Sequence, residues 1–217
     1  MKLPVLFSLV IGLVPMVASA TIILETDISQ PYEIVPIEVA MPDQVSFLGT
    51  LEDFPVMYEI RSDEPFTFTA QLSQPTNQEA QPFSMLLIRR NDRGGGVAEV
   101  TRQPFVAEQW SLVRNGLFGV SFRQSPVIEE TVEPGTYRLE VSSPDNQGNY
   151  LFTVGSQPAE VGYFEQLGYV RQLQSYFGYG FFSMLRSSLV YYPLGILLLL
   201  GAIWQTWRWA HKRPMNA

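Results

Sequence analysis

The most constraining feature of this sequence is a stretch of 21 residues, 187–207, that holds no charged side chain and lies between Arg186 and Arg208. As an α-helix the stretch would be about 31 Å long at roughly 1.5 Å per residue, and the hydrocarbon core of a bilayer is about 30 Å thick. Two tyrosines stand near its start and two tryptophans near its end, where aromatic rings favour the headgroup region. The stretch therefore predicts one transmembrane helix over 187–207, with the lipid bilayer as its partner.

The N-terminus predicts the topology. Residues 1–20 carry the positive charge of Lys2 near their start, continue with an apolar run and end with small residues before Thr21. This pattern is typical of a secretory signal peptide cleaved after Ala20, and the alternative is a retained N-terminal anchor. With cleavage, the N-terminal domain lies outside and residues 208–217 form a basic cytoplasmic tail. We expect a single-pass protein of the cell membrane.

The charge distribution agrees with this orientation. All 21 acidic residues lie between Glu25 and Glu165, a region with eight arginines and a net charge of 8 − 21 = −13. After Glu165 there is no acidic residue, while five basic residues follow. Nucleic-acid binding requires a basic face that neutralises phosphates, so the acidic outer domain excludes that class of function.

The sequence contains no cysteine, so the outer domain must be stabilised by an apolar core instead of disulfide bonds. The predicted outer portion also lacks any Asn-x-Ser/Thr acceptor for N-glycosylation. Together these absences favour a protein of a prokaryotic envelope.

Residues 21–157 have the pattern of an all-β domain. Apolar and polar residues alternate over 66–72, 137–141 and 150–154, and Pro, Gly and Asn cluster between these runs. The run 85–88 is continuously apolar, which predicts a strand buried on both faces. We expect an extracytoplasmic antiparallel β-sandwich or jelly roll, followed by an amphipathic juxtamembrane helix and one C-terminal transmembrane helix.

The end of this domain, VEPGTYRLEVSSPDNQGNYLFTVG (132–155), resembles the closing hairpin of bacterial pre-peptidase C-terminal domains. A Gly-Thr-Tyr strand, a loop rich in Pro, Asn and Gly, and a Gly-x-Tyr strand carry the resemblance. It implies a non-catalytic β-sandwich module of the kind attached to secreted enzymes. This sequence departs from that arrangement because a membrane anchor follows in place of an enzyme.

Residues 158–186 form a separate, amphipathic segment. We interpret it as an interfacial helix on the outer leaflet; the alternatives are a docking face for a membrane partner and a stalk helix packed on the sandwich. The apolar residues at helical spacing are Phe164, Leu167, Val170, Leu173 and Phe177.

Few residues suggest chemistry. The one histidine, His211, falls in the predicted cytoplasmic tail, so outer zinc sites and Cys–His or Ser–His catalysis are excluded, and no catalytic residue is predicted. The acidic groups are interpreted as solvated side chains, with a Ca²⁺ site as the alternative because carboxylates are hard oxygen ligands. These groups are Glu52-Asp53, Asp63-Glu64, Glu129-Glu130 with Glu133, and the loop 145–149.

Two further features are candidates for interaction. Arg89, Arg90 and Arg93 form the basic cluster of an acidic domain, next to three glycines, and could grip an anionic partner or form a solvated turn. Trp110, the one tryptophan of the outer domain, could stack on a sugar or belong to the core. The sequence thus predicts a non-enzymatic binding or accessory subunit of an envelope complex with a membrane or envelope protein as partner; the alternatives are a glycan-binding adhesin and a carboxylate-dependent hydrolase.

Overall fold

The structure is a computed structural model in which two β-sheets form most of the described chain. It describes residues 21–26, 28, 30–37, 43–91 and 96–212, the last three by their backbone alone. The predicted signal peptide (1–20) and Arg93 lie outside these residues. The strands are β1 (Ile22–Glu25), β2 (Ile34–Ile37), β3 (Val45–Glu52), β4 (Val56–Ser62), β5 (Phe66–Pro75), β6 (Ser84–Arg90), β7 (Val97–Gln103), β8 (Ser111–Asn115), β9 (Val120–Gln124), β10 (Ile128–Val132), β11 (Gly135–Ser142) and β12 (Gln147–Val154), with a short 3-10 helix at Ala107–Gln109.

The strands form the two layers of a β-sandwich. Among the described residues, the larger sheet has the order β1-β3-β12-β5-β9-β8 with β10 beside β5, and the smaller sheet has the order β2-β4-β11-β6-β7. The pairs are antiparallel except for β1 with β3 and β2 with β4, which are parallel. The predicted all-β sandwich is therefore confirmed, with two parallel pairs that the alternation pattern does not reveal.

Alternating side chains separate core from surface. In β11, every second residue is buried between the sheets and the intervening residues are half-buried. In β6, Met85 and Leu87 are buried but Leu86 and Ile88 are only half-buried. The prediction that this run is buried on both faces was wrong, because no described layer covers the outer face of the smaller sheet.

Aromatic side chains dominate the core between the sheets. The ring of Phe152 lies 4.6 Å from that of Tyr58 and 6.0 Å from that of Phe47, measured between ring centroids. The hydroxyls of Tyr58 and Tyr150 are 3.0 Å apart and form a hydrogen bond. Neither tyrosine is exposed to solvent. The two hydroxyls thus satisfy each other, and the hydroxyl of Tyr58 also lies 3.3 Å from Oγ1 of Thr26.

This buried pair predicts a loss of stability at alkaline pH. Burial disfavours the phenolate and raises the pKa of Tyr58 and of Tyr150 well above the usual value near 10. Because the folded state holds these protons more tightly than the unfolded chain, stability is retained below about pH 10 and falls as the pH rises further. Between pH 9 and pH 11 we expect the free energy of unfolding, measured with urea, to fall less in the double variant Tyr58→Phe/Tyr150→Phe than in the natural protein. The exposed Tyr32→Phe is the control, and equal slopes in all three proteins would contradict the prediction.

Helix α1 (Tyr163–Tyr176) packs on the outer face of the larger sheet. Its residues Val170 and Leu173, with the following Phe177, are buried against Leu48 and Leu151 of that sheet. The hydroxyl of the α1 residue Tyr176 lies 2.5 Å from that of Thr50 in β3. Strands β3, β12 and β9 carry apolar residues outward at this place, and α1 covers them.

This packing corrects the interpretation of residues 158–186. Val170, Leu173 and Phe177 meet the sandwich and so cannot lie on the bilayer or contact a partner in this conformation. Leu167 is half-buried against the same cluster, and Phe164 is 84% exposed. Helical periodicity identifies the apolar face of a helix but not the surface against which that face packs. Here the apolar face of α1 packs against the outer face of the larger sheet.

Helix α2 (Ser188–Lys212) follows a 3-10 helix at Phe181–Arg186. Its segment Ser188–Trp209 has a mean hydropathy of 1.5, which makes it long and apolar enough to cross a membrane. Most of its large apolar side chains are exposed, as a lipid-facing helix requires. Pro193 lies inside the helix and has no N–H to donate to the carbonyl of Leu189, which accepts instead from the hydroxyl of Tyr163 at 2.7 Å.

Candidate binding recess

A recess of about 360 Å³ opens on the outer face of the larger sheet. Strands β3, β12, β5 and β9 form its floor, and β8 with the turn after it forms one wall. Its lining residues are Thr21, Gln44, Ser46, Gln71, Ser73, Val113, Arg114, Asn115, Gly116, Leu117, Phe118, Phe122, Gln124, Leu151 and Thr153. We call this cavity the sheet recess.

Hydroxyl groups form a connected row on the floor of the sheet recess. The Oγ of Ser46 lies 2.8 Å from Oγ1 of Thr153 and 3.3 Å from Oγ1 of Thr21. Ser46 and Thr153 face each other across β3 and β12, so the sheet register sets their spacing. Because a hydroxyl both donates and accepts, each hydroxyl of the row can turn its hydrogen to suit a polar ligand.

Side-chain amides continue the polar floor. Nε2 of Gln71 donates to the carbonyl of Ser125 at 2.9 Å, and Nε2 of Gln124 donates to Oγ of Ser73 at 3.3 Å. In both bonds the amide nitrogen is the donor, and the amide oxygens of Gln71 and Gln124 are acceptors. The floor is therefore held in place before any ligand arrives.

The electrostatic character of the recess differs from that of the domain. Although the region 25–165 carries 21 acidic residues, none of them lines the recess, and Arg114 does. Among the described residues, Arg114 forms no ion pair. It lies close enough to Tyr191 at the start of α2 to act on it electrostatically. The recess suits a polar, neutral or anionic group, because Arg114 is the charged side chain among its lining residues.

The wall of the recess is also the attachment point of α2. The backbone N–H of Ser188 donates to the carbonyl of Gly116 at 2.9 Å. The hydroxyl of Ser187 donates to the backbone carbonyl of Leu117 at 2.5 Å. Gly119, at φ 68°, lies so close to this segment that an added Cβ would be 2.5 Å from the carbonyl carbon of Arg186. Backbone contact this close is possible because glycine lacks a side chain.

A buried polar network reinforces the attachment. The amide of Gln174 in α1 donates to the carbonyls of Phe118 at 2.7 Å and Ser183 at 3.2 Å. The hydroxyl of Ser183 donates back to Oε1 of Gln174 at 2.8 Å. Gln174 is not exposed, and all its polar atoms have partners. We call the contacts of Gly116–Gly119, Gln174 and 183–188 the junction.

The structure describes two residues of the predicted basic cluster, Arg89 and Arg90, and places them away from the recess, at the end of β6 in the smaller sheet. Arg89 donates to the carbonyl of Pro134 at 2.8 Å and lies over the ring of Tyr137. Arg90 pairs with Glu59 at 3.5 Å. Both side chains therefore contribute to the packing around β11 instead of forming one free basic surface.

Trp110 is half-buried and packs against the core between the sheets. Its ring centroid is 5.6 Å from that of Phe105. A sugar-stacking platform requires an open aromatic face, so this position favours the core role over the adhesin role.

In the described part of the chain, no group of three or more His, Asp or Glu side chains is placed to hold a metal ion. The acidic pairs considered for Ca²⁺ therefore do not converge with other acids there. The polar residues of the recess floor were missed at the sequence level because alternation assigns an outward-facing Ser, Thr or Gln of a strand to solvent. These residues are Ser46, Gln71, Ser73, Gln124 and Thr153.

The fold and the junction define a class: a β-sandwich joined directly to one helix that can span a membrane. A comparison with protein-family models matched none, and no curated protein matched. Among solved structures, the chain is similar to the pre-peptidase C-terminal domain of collagenase from Bacillus anthracis, with 15% identity, a TM-score of 0.35, and coverage of 58% of this chain and 97% of that one. This is the family that residues 132–155 resemble.

Two further solved structures are similar to this chain. The mitogen of Yersinia pseudotuberculosis has 13% identity and a TM-score of 0.38, covering 56% of this chain and 92% of that one. A periplasmic inhibitor of g-type lysozyme from Aeromonas hydrophila has 12% identity and a TM-score of 0.36, covering 63% and 98%. These likenesses concern the fold alone.

Proposed function

We propose that this chain is a single-pass membrane protein whose sandwich lies outside the cytoplasm and acts as a non-catalytic binding or accessory subunit of an envelope complex. The observation that carries the proposal is the junction. Because hydrogen bonds join the wall of the sheet recess to Ser187 and Ser188, the sandwich cannot rotate freely on its anchor. A fixed orientation serves recognition of a partner that is held in the same membrane.

The face offered to that partner includes the edge strand β8. This strand pairs only with β9 among the described strands, so its other edge has free backbone groups. Leu112 is 74% exposed and Val113, which also lines the recess, is 38% exposed. An open strand edge with apolar side chains is a common site for pairing with another chain.

The proposal predicts a difference in labelling between two edge strands. The natural sequence lacks cysteine, so single-cysteine variants carry one label each. In intact cells of the source organism, a membrane-impermeant maleimide should label Val97→Cys on β7. The labelling rate of Leu112→Cys on β8 should be at least fivefold lower. Both positions are well exposed in the isolated chain, at 62% and 74%. A detergent that dissociates complexes should equalise the two rates.

Each part of the proposal has its own contrary result. Labelling of Val97→Cys only after the cells are opened would show that the sandwich lies inside. Equal labelling of both variants in intact cells would show that no partner covers β8.

A further inference from the structure

We infer that the protein contacts the bilayer a second time, beside its transmembrane helix, through four exposed apolar side chains that we call the collar. The inference rests on the proposed membrane anchoring of α2. The collar consists of Phe164, Phe181, Phe182 and Leu185, whose side chains are 84%, 68%, 80% and 51% exposed.

The collar lies where α2 begins. Three of its residues belong to the 3-10 helix Phe181–Arg186, and only Ser187 separates that helix from α2. Phe164 is brought to the same place because the hydroxyl of the adjacent Tyr163 donates to the carbonyl of Leu189 at 2.7 Å. The exposed apolar surface is therefore continuous with the lipid-facing surface of the transmembrane helix.

The exposure of the collar does not result from a loose segment. In the same 3-10 helix, Ser183 is buried and bonded to Gln174, while its neighbours Phe182 and Leu185 point outward. This places the polar residue inside and the apolar residues outside, the reverse of a surface in contact with water. Such an arrangement is stable when the outer surroundings are apolar.

The charges around the collar identify the apolar partner as lipid. The guanidinium of Arg171 lies 5.7 Å from the centroid of the Phe181 ring, and Arg186 ends the 3-10 helix. Glu165 is adjacent to Phe164, and no acidic residue follows it in the sequence. Aromatic rings with arginines beside them match the boundary of a bilayer, where the rings enter the headgroup region and the cations meet phosphates.

The test uses spin labels on the full-length chain in nanodiscs of phosphatidylcholine and phosphatidylglycerol. Phe182→Cys reports the collar, Leu198→Cys reports the middle of α2, and Val97→Cys reports the water-exposed smaller sheet. Collisions with oxygen, which concentrates in lipid, are compared with collisions with a water-soluble nickel chelate. We expect the oxygen-to-nickel ratio at Phe182 to exceed that at Val97 at least threefold and to lie below that at Leu198.

The outcomes separate this inference from the proposed function. If the oxygen-to-nickel ratio is high at Leu198 but at Phe182 equals that at Val97, the membrane anchor is supported and the collar does not touch the membrane. Low collision rates with both reagents at Phe182 would also overturn the inference, because they indicate a protein cover. If Leu198 reads as water-exposed, membrane anchoring itself fails.

Discussion

Replacing Phe152 by alanine is expected to lower the free energy of unfolding of the sandwich by about 3–5 kcal/mol, the usual cost of removing a fully buried phenylalanine. Its side chain is not exposed and packs against the rings of Phe47 and Tyr58, whose centroids are 5.2 Å apart. The loss combines the transfer of the ring to water with the cavity left behind, because neighbouring strands relax only in part. The measurement is urea unfolding of the full-length chain in detergent micelles, followed by near-ultraviolet circular dichroism.

The control is Val97→Ala, which removes an apolar side chain from a water-exposed position of the smaller sheet. In micelles we expect a change within about 0.5 kcal/mol, as for other surface substitutions. Comparable losses for the two variants would contradict the assignment of Phe152 to the core between the sheets.

Replacing Gly119 by alanine is expected to open the junction and to cost about 2–4 kcal/mol, since strained backbone and overpacking each contribute roughly 1–3 kcal/mol. Gly119 has φ 68°, and an added Cβ would lie 2.5 Å from the carbonyl carbon of Arg186 and 2.6 Å from the nitrogen of Ser187. The segment 183–188 would have to move away from the turn. Hydrogen exchange of the amides of 183–190 should rise at least tenfold, while β3 and β12 keep their protection.

Gly116→Ala is the control from the same turn. A Cβ at Gly116 meets no atom within 4 Å, so the junction should keep its protection from exchange. Equal exchange in the two variants would show that the close contact at Gly119 does not hold the sandwich on its anchor.

The local alternation of apolar and polar residues was sufficient to predict the β-sandwich. In β11 the alternation of Tyr137, Leu139 and Val141 with polar residues matches the buried and half-buried positions of the strand. This works because a strand that lies with one face on a core must place every second side chain in it. The same rule failed for Leu86 and Ile88, whose outer face has no layer above it in the described structure.

The sheet recess could not be predicted in the same way. Ser46 and Thr153 are 107 residues apart in sequence, and they meet because β3 and β12 are neighbours in that register. Nothing in either local sequence distinguishes them from other outward hydroxyls. Arg89 and Arg90 are adjacent in sequence, but the structure gives them different partners, the carbonyl of Pro134 and the carboxylate of Glu59.

The sequence by itself determined that this chain has strands of alternating polarity and one uncharged apolar segment long enough to span a bilayer, because both depend on residues close together along the chain. Only the tertiary structure decided which surface α1 covers, where the polar floor of the recess assembles, and that Gly116 and Leu117 hold the start of α2. These features depend on strand order and on contacts between distant residues. Periodicity predicts which face of a helix or strand is apolar, whereas tertiary packing determines which residues that face contacts.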